Sequence, residues 1–366
     1  MREKLRWALV IVVSMALGAT VVVGIDSLRT DASGPAAVIE SVSSPSESNV
    51  AQKIPEDVAD LYDKVRPSVV KITTGNEGSF GGGVGSGVVI DKEGRILTNY
   101  HVVQGAGSID AIFADGTSVE AKVLGTDPGN DLAVLDVDVA ADKLTPATLG
   151  DSAAVRVGEF VIAVGNPFDI DGTLTTGVVS GVGRTLGGSG RPLRQLIQSD
   201  AAINPGNSGG GLFNRRGELI GITTAIENPS GDRVFVGVGY AVPVGTAKRF
   251  LPQMISGQAV EHPRLGIRME NVTPTLAESR GIDAAKGVVI VQVESGSAAA
   301  RAGLRGGRTS GDIIVAIDGV EIAGYDDLGN YIDSRDVGDK VKVTVIRDGG
   351  KTTVEVTLEA WRSSAT

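Results

Sequence analysis

Short runs of β-branched residues, separated by glycine, aspartate and asparagine, recur along residues 67–243 of the chain. Examples are PSVVKITT, DLAVLDV, EFVIAVG and ELIGITTAI. β-Branched side chains favour strands, and the residues between these runs favour tight turns. Many short strands at close spacing are typical of a barrel or a sandwich. Glycine contributes 51 of the 366 residues, which suits a β-rich protein with many tight turns.

A second pattern begins after the helical stretch TAKRFLPQMISG, which ends at Gly257. Apolar strand patterns alternate there with short helical ones, and the last two strands form a hairpin about Asp348-Gly349-Gly350. This composition indicates an α+β domain of about 100 residues. We therefore predict a mainly β protein with two folded domains, over residues 56–257 and 263–361.

The N-terminus carries an apolar segment at residues 7–25, which contains no charged residue. Its 19 residues approach the length needed to cross the ~30 Å hydrocarbon core. Basic residues precede it, so residues 1–6 are predicted to stay in the cytoplasm while the rest of the chain crosses. A cleaved signal peptide is the alternative, although its apolar core is usually shorter. We predict a single-pass anchor in the cell membrane, with both domains on the extracytoplasmic (periplasmic or extracellular) side.

The segment that follows, residues 26–55, holds seven serines and three prolines and no aromatic residue. Such a composition buries too little apolar surface to offset the entropy lost on ordering. We predict a flexible linker.

Composition also limits the chemistry available to the chain. It has no cysteine, which excludes disulfides, thiolate metal sites and cysteine catalysis. Its only histidines are His101 and His262, too few for the usual histidine-rich zinc site. The formal net charge of −10 disfavours nucleic acid as a partner, because phosphate binding depends on lysine and arginine. We predict no metal site and no cofactor.

The sharpest local motif is Gly206-Asn207-Ser208-Gly209-Gly210. A serine hydroxyl becomes a nucleophile when a neighbouring base takes its proton. The flanking glycines allow the N–H groups of Gly206 and Ser208 to point at one spot, as an oxyanion hole requires, with the Asn207 N–H adding to it. A plain Gly-Ser turn is the alternative for this motif alone.

Two further residues indicate a catalytic role for this motif. His101 ends the predicted strand RILTNYHVV, and Asp131 precedes the predicted strand LAVLDV. Each alone is more often structural, but His101, Asp131 and Ser208 follow the chain order of the chymotrypsin-type triad. In that triad Ser208 attacks a carbonyl, His101 is the general base and then acid, and Asp131 holds the imidazole tautomer.

A competing triad uses the same serine. GNSGG also fits G-x-S-x-G, and Ser208, Asp232 and His262 have the chain order of an α/β-hydrolase. That nucleophile elbow needs a helix after the serine, whereas the glycines after Ser208 are poor helix formers. His262 precedes Pro263 between the two domains, which is typical of a linker, and we expect it to be structural or merely exposed. We expect His262→Ala to leave activity largely intact.

Four segments in order, TNYHVV, NDLAVL, GNPFDIDGTLTTGVVSGVGR and QSDAAINPGNSGGGLFN, resemble the HtrA (Deg) family of serine proteases. The resemblance covers residues 56–360. It implies a trypsin-like double β-barrel followed by one PDZ domain, with the triad on His101, Asp131 and Ser208 and the oxyanion loop on Gly206–Ser208. It also implies ATP-independent cleavage of unfolded, misfolded or regulatory polypeptides, commonly by a homotrimer.

The resemblance extends to ligand recognition. Arg264-Leu265-Gly266-Ile267 matches the PDZ carboxylate-binding loop, whose N–H groups capture the carboxylate of C-terminal peptides. Arg264 departs from the aromatic or small residue that is common there. The implied partners are polypeptide substrates and C-terminal peptides.

The sequence indicates less about the substrate pocket. Its walls are expected to include Ile203, Asn204, Gly237 and Tyr240, and Ile203 with its small neighbours suggests a preference for small aliphatic side chains. The glycine-rich segment at residues 81–87 lacks the phosphate-binding pattern and is interpreted as a mobile loop before a strand.

A function from another class is also compatible with the domains. The chain can be a non-catalytic chaperone or scaffold, with a protease-like barrel that binds misfolded proteins and a PDZ domain as the recognition element. The complete triad favours the enzyme.

Overall fold

The computed structural model describes residues 58–75, 82–166, 172–187, 191–226, 235–279 and 286–361. The predicted anchor at residues 7–25, the predicted linker at residues 26–55 and Asp232 lie outside these ranges. Within them, no helix is both long and apolar enough to cross a bilayer.

The first part of the chain forms a closed antiparallel barrel in the order β1-β2-β3-β6-β5-β4. Its strands are β1 (Val69–Gly75), β2 (Gly83–Val89), β3 (Arg95–Thr98), β4 (Ser108–Ile112), β5 (Ser118–Asp127) and β6 (Leu132–Val137). Helix α1 (Val58–Val65) precedes the barrel, and the short helix α2 (Tyr100–Val103) follows β3.

A second barrel follows in the chain. Its strands are β7 (Thr148–Leu149), β8 (Phe160–Gly165), β9 (Thr173–Leu186), β10 (Leu193–Ser199), β11 (Gly211–Asn214), β12 (Glu218–Ile226) and β13 (Gly239–Pro243). They run in the order β11-β8-β9-β10-β13-β12-β7, and β11 also pairs with β12, which closes a ring of six. The predicted double barrel is confirmed. Helix α3 (Val244–Ile255) ends this domain.

The second domain is α+β. Its strands are β14 (Pro263–Arg264), β15 (Ile267–Asn271), β16 (Val288–Val293), β17 (Ile313–Ile317), β18 (Val320–Glu321), β19 (Lys340–Arg347), β20 (Gly350–Thr357) and β21 (Glu359–Ala360). Its helices are α4 (Pro274–Ser279), α5 (Ala298–Arg301) and α6 (Tyr325–Asp333). The main sheet runs β15-β16-β17-β19-β20, so β15 lies at an edge.

Local sequence explains these strands well. In β19, Val341, Val343 and Val345 are buried while the residues between them are more exposed, as the period of two requires. The hairpin between β19 and β20 turns at Asp348 and Gly349, whose φ angles of 50° and 79° suit a primed two-residue turn. The predicted hairpin is therefore confirmed.

Two local predictions are wrong. Strand β3 ends at Thr98, and His101 lies in helix α2 rather than at the end of a strand. The segment interpreted as a mobile loop contains the first five residues of β2, and the strand is buried from Gly85 to Val89. Glycine is required there by close packing, because a Cβ at Gly85 would lie 2.6 Å from the Val102 side chain. Strand propensity of glycine is low, so the pattern alone suggested a loop.

The two domains contact each other through arginines of the barrel domain and the end of helix α6. Arg191 forms an ion pair with Asp333 at 2.7 Å, and the Arg191 side chain is 8% exposed. Arg249 donates to the Asp333 and Arg335 carbonyls and to the Asp336 carboxylate. Each domain also has its own apolar core.

Candidate functional site

Strand pairing brings His101 and Asp131 together. Strand β3 lies antiparallel to β6, and Thr98 faces Ala133. The end of β3 therefore lies beside the start of β6, so that a residue three positions after Thr98 meets a residue two positions before Ala133. The side chain of Asn99 strengthens this junction by donating to the Asp131 carbonyl at 2.8 Å.

The Asp131 carboxylate holds His101 at two points. It accepts the His101 backbone N–H at 3.0 Å and lies 2.7 Å from the His101 Nδ1. Thr224 donates its hydroxyl to the same carboxylate at 2.5 Å. Since an ionised carboxylate only accepts hydrogen bonds, the proton of the imidazole is assigned to Nδ1, which leaves Nε2 as an acceptor. The imidazole is thus oriented as a general base.

Ser208 lies in the loop between β10 and β11 and lines one cavity of about 520 Å³ together with His101. Its hydroxyl donates to the Thr224 carbonyl at 3.3 Å rather than to His101. Without substrate, catalytic hydrogen bonds are often long or misaligned, and they tighten when substrate binds. The Ser208 hydroxyl must therefore rotate toward the imidazole before it can react.

The loop between β10 and β11 that contains Ser208, here called the serine loop, presents two backbone hydrogen-bond donors. Within the described part of the chain, neither the Gly206 nor the Ser208 N–H has a hydrogen-bond partner. The Asn207 N–H differs from the sequence-based expectation, because it donates to the Asn204 carbonyl at 2.9 Å. Gly206 has a φ of 101°, a conformation that favours glycine.

Ser86 of β2 fastens this loop and was missed by sequence reasoning. Its hydroxyl donates to the Gly206 carbonyl at 2.7 Å, and its N–H donates to the Ser208 carbonyl at 2.8 Å. The same hydroxyl accepts the Asn166 N–H at 2.9 Å, and Ser86 is fully buried. These bonds fix the peptide planes on both sides of the Ser208 N–H. The signal was a lone serine inside a glycine run, which carries little information by itself.

Replacing Ser86 by alanine is expected to lower kcat about 100-fold with little change in KM, because misplacing reacting groups by about 1 Å has effects of that size. The variant leaves the Gly206 carbonyl without the Ser86 hydroxyl, so the loop can turn away from the reacting geometry. Steady-state kinetics on labelled casein measure both constants. Ser68→Ala is the matched control, since Ser68 is also buried and, within the described ranges, its hydroxyl bonds locally, to the Val65 carbonyl. An unchanged kcat in Ser86→Ala would contradict the assignment.

The predicted substrate pocket is brought together only in part. Ile203 and Asn204 line the cavity that contains Ser208. Gly237 lies instead in an exposed turn before β13, and Tyr240 packs in the apolar core of the barrel domain. Neither lines the cavity among the residues that the structure describes. Tyr240 was misplaced because alternation along β13 turns it toward the core.

The segment Arg264–Ile267 of the second domain leads from β14 into the edge strand β15. In the described ranges, the Leu265 and Gly266 N–H groups have no hydrogen-bond partner. Arg264 forms ion pairs with Glu294 at 2.7 Å and Glu359 at 3.0 Å. A cavity of about 180 Å³ adjoins the loop and runs between β15 and α6. Free donors beside an edge strand can bind a carboxylate while a peptide extends the sheet.

Residues of the barrel domain line the same cavity. They are Arg191, Pro192 and Arg194. The Arg194 guanidinium lies so close to helix α6 that a Cβ at Gly329 would come within 1.9 Å of it. Burial lowers the pKa of Arg194, although the charge of Asp333 opposes this shift.

His262 is structural, one of the two expectations for it, and it is buried rather than part of an exposed linker. It is 3% exposed, and its Nε2 lies 2.6 Å from an Asp127 carboxylate oxygen. The competing hydrolase triad is also wrong, because Ser208 is followed by strand β11 rather than by a helix, and His262 is paired with Asp127. Its partner is 135 positions away in the sequence, so no local pattern revealed the pair.

Two family models match the chain. A trypsin-like peptidase domain matches residues 85–222, and a PDZ domain matches residues 263–358. The first match lies within the double barrel and includes the loop that contains Ser208, and the second covers the α+β domain with the segment Arg264–Ile267.

Curated relatives align with about three quarters of this chain. "Protease Do-like 1, chloroplastic" of Arabidopsis thaliana is 43% identical over 286 residues, covering 76% of this chain and 64% of that protein. "Periplasmic serine endoprotease DegP" of Escherichia coli (strain K12) is 39% identical over 298 residues, covering 79% and 61%. The chain thus spans less than two thirds of the length of these curated relatives.

A solved structure matches over nearly its whole length. "HtrA-type protease AlgW with tripeptide" aligns with a TM-score of 0.73 and 36% sequence identity. The alignment covers 83% of this chain and 97% of that one.

Proposed function

Because the chain belongs to the HtrA-type family of serine proteases, we propose that it is a serine endoprotease that cleaves unfolded, misfolded or regulatory polypeptides. The observation that carries the proposal is the 2.7 Å contact between His101 Nδ1 and Asp131, in a cavity shared with Ser208. A histidine oriented by a carboxylate beside a serine is the arrangement that acyl transfer needs.

The reaction follows from the roles of these side chains. Ser208 attacks the scissile carbonyl while the His101 Nε2 takes its proton, and Asp131 stabilises the imidazolium that forms. The N–H groups of Gly206 and Ser208 stabilise the oxyanion. His101 then gives the proton to the leaving amine, and water hydrolyses the acyl-enzyme by the same route. The proposed oxyanion hole no longer includes the Asn207 N–H, which is bonded to Asn204.

Substrate selection is proposed at two places. Ile203 and Asn204 form the wall of the pocket beside Ser208 and favour small aliphatic side chains. The loop Arg264–Ile267 binds the carboxylate of C-terminal peptides, and strand β15 pairs with the peptide backbone. The family resemblance supports a homotrimer.

The location is also a proposal. One relative is named as a periplasmic enzyme, which supports an extracytoplasmic protease. We propose that residues 7–25 anchor the chain in the membrane as a single span, because this segment is uncharged and follows basic residues.

A degradation assay tests the proposed activity. The full chain is incubated with labelled unfolded casein and with a stably folded protein as control, beside a Ser208→Ala variant. With the native chain, we expect casein to be cut into fragments and the folded control protein to stay intact. With Ser208→Ala, we expect casein to be bound but not cleaved. If the native chain binds casein and produces no fragments, the non-catalytic scaffold is the better account.

The carboxylate loop gives a separate prediction. Gly266→Ala is expected to weaken the binding of a peptide with an apolar free C-terminus about tenfold or more, since strain of about 1.4 kcal/mol already gives this factor. Gly266 has a φ of 78°, and a Cβ there would lie 2.3 Å from the Ser297 Cβ. Fluorescence anisotropy measures the affinity. Gly296→Ala is the control, with a similar φ of 71° and open space around its Cβ position. If Gly266→Ala and Gly296→Ala bound the peptide with equal affinity, the result would argue against this loop as the carboxylate-binding site.

A further inference from the structure

His262 lies at the junction of the two domains and is held from several sides. Its imidazole Nε2 contacts Asp127 at 2.6 Å, and its ring edge packs on Phe250 with 4.9 Å between the ring centroids. The ring also covers Gly129, where a Cβ would lie 2.5 Å from it. The His262 carbonyl accepts the Trp361 N–H at 2.6 Å, from the end of the second domain. Such a residue is a fixed part of the core rather than a linker.

Its partner, Asp127, shapes the turn that leads to the catalytic aspartate. The Asp127 side chain is fully buried. One carboxylate oxygen accepts the Asn130 N–H at 3.1 Å, and the other accepts the Asn130 side-chain amide at 2.7 Å. Asp127 therefore holds the turn through Asn130, which is the residue immediately before Asp131.

Asp131 itself has a backbone conformation that needs support. Its φ is 55°, in the left-handed region that costs a non-glycine residue about 1 kcal/mol or more. Such a conformation persists when its surroundings determine it. The turn anchored on Asp127 provides these surroundings, because it fixes the chain immediately before Asp131.

We propose that His262 is a positioning residue for catalysis, which donates its Nε2 hydrogen to Asp127 and so holds the turn that presents Asp131 to His101. The inference rests on the proposed triad, and it replaces the sequence-based expectation that His262→Ala leaves activity largely intact. Without this donor, a fully buried carboxylate loses its charge-assisted partner and draws in water or moves. The turn then loosens, and Asp131 no longer holds the imidazole at the reacting geometry.

Two substitutions in the full chain separate the hydrogen bond from the packing of the ring. His262→Phe keeps a ring beside Phe250 and removes the donor, whereas His262→Gln keeps an N–H donor near the Nε2 position and removes the ring. We expect kcat on labelled casein to fall about 10- to 100-fold in His262→Phe, with KM within about twofold, because a 1 Å misplacement costs about that much. His262→Gln is expected to recover most of the kcat.

Circular dichroism gives the folded fraction to which each kcat is normalised, and His262→Leu replaces His262→Phe if the larger ring prevents folding. A native kcat in the donor-free variant overturns the proposal, as does an equal loss in His262→Gln, since ring packing would then be the cause. Ser208→Ala is assayed in parallel. If that variant still cleaves casein, the triad itself is wrong; if it is inactive while His262→Phe is fully active, only the positioning role fails.

Discussion

Replacing His101 by alanine is expected to lower kcat on labelled casein about ten-thousand-fold or more, because triad members act as a unit and the loss of one removes most of their effect. Among the described residues that line the Ser208 cavity, His101 has the only imidazole, and its 2.7 Å contact with Asp131 fixes the orientation of the ring. Binding of unfolded casein should persist, since the other residues that line the cavity and the PDZ domain are unchanged.

Steady-state kinetics and a casein-binding assay test this expectation together. Gln104→Ala is the control, because Gln104 is exposed and directly follows the same short helix α2. We expect native kinetics from it. A His101→Ala enzyme within tenfold of the native kcat would show that another base activates Ser208.

The second large effect concerns the stability of the PDZ domain. Arg347→Met is expected to lower its free energy of unfolding by about 3–5 kcal/mol, because it leaves a buried charge without its partner. Asp312 is that charge: its side chain is fully buried, and two Arg347 nitrogens contact its oxygens at 2.8 and 2.7 Å. The hydrogen bond with Asp312 also raises the pKa of Arg347, so the arginine stays charged.

Urea unfolding followed by the fluorescence of Trp361, at the end of the PDZ domain, measures this effect. Arg305→Met is the matched control, since Arg305 pairs with Asp348 at 3.1 Å and both side chains are more than half exposed. Surface pairs of this kind contribute about 0–1 kcal/mol. Similar losses in the two variants would mean that burial of Asp312 is not what makes the Arg347 pair important.

Patterns within short segments, and the order of motifs along the chain, made much of the fold and of the candidate site predictable. Alternation and turn residues indicated the strands of both domains, including the β19–β20 hairpin. The chain order of His101, Asp131 and Ser208 indicated a triad, and the strand pairing of β3 with β6 explains why the first two meet.

The parts that sequence reasoning missed depend on contacts between distant residues. Ser86 reaches Gly206 across 120 positions, and its glycine-rich surroundings suggested a loop instead of a buried strand. His262 meets Asp127 across 135 positions, and its place before a proline suggested a linker. The Asn207 N–H was assigned to the oxyanion hole because a motif does not reveal that the Asn204 carbonyl takes it.

The central claim is that Ser208 is a nucleophile activated by His101 and Asp131. A fluorophosphonate probe tests it most directly, because the reagent bonds covalently to an activated serine, and peptide mass spectrometry locates the adduct. The account predicts one adduct, on Ser208, that is absent from Ser208→Ala and strongly reduced in His101→Ala. A folded native chain that takes up no probe, or an adduct that persists in Ser208→Ala, would contradict it.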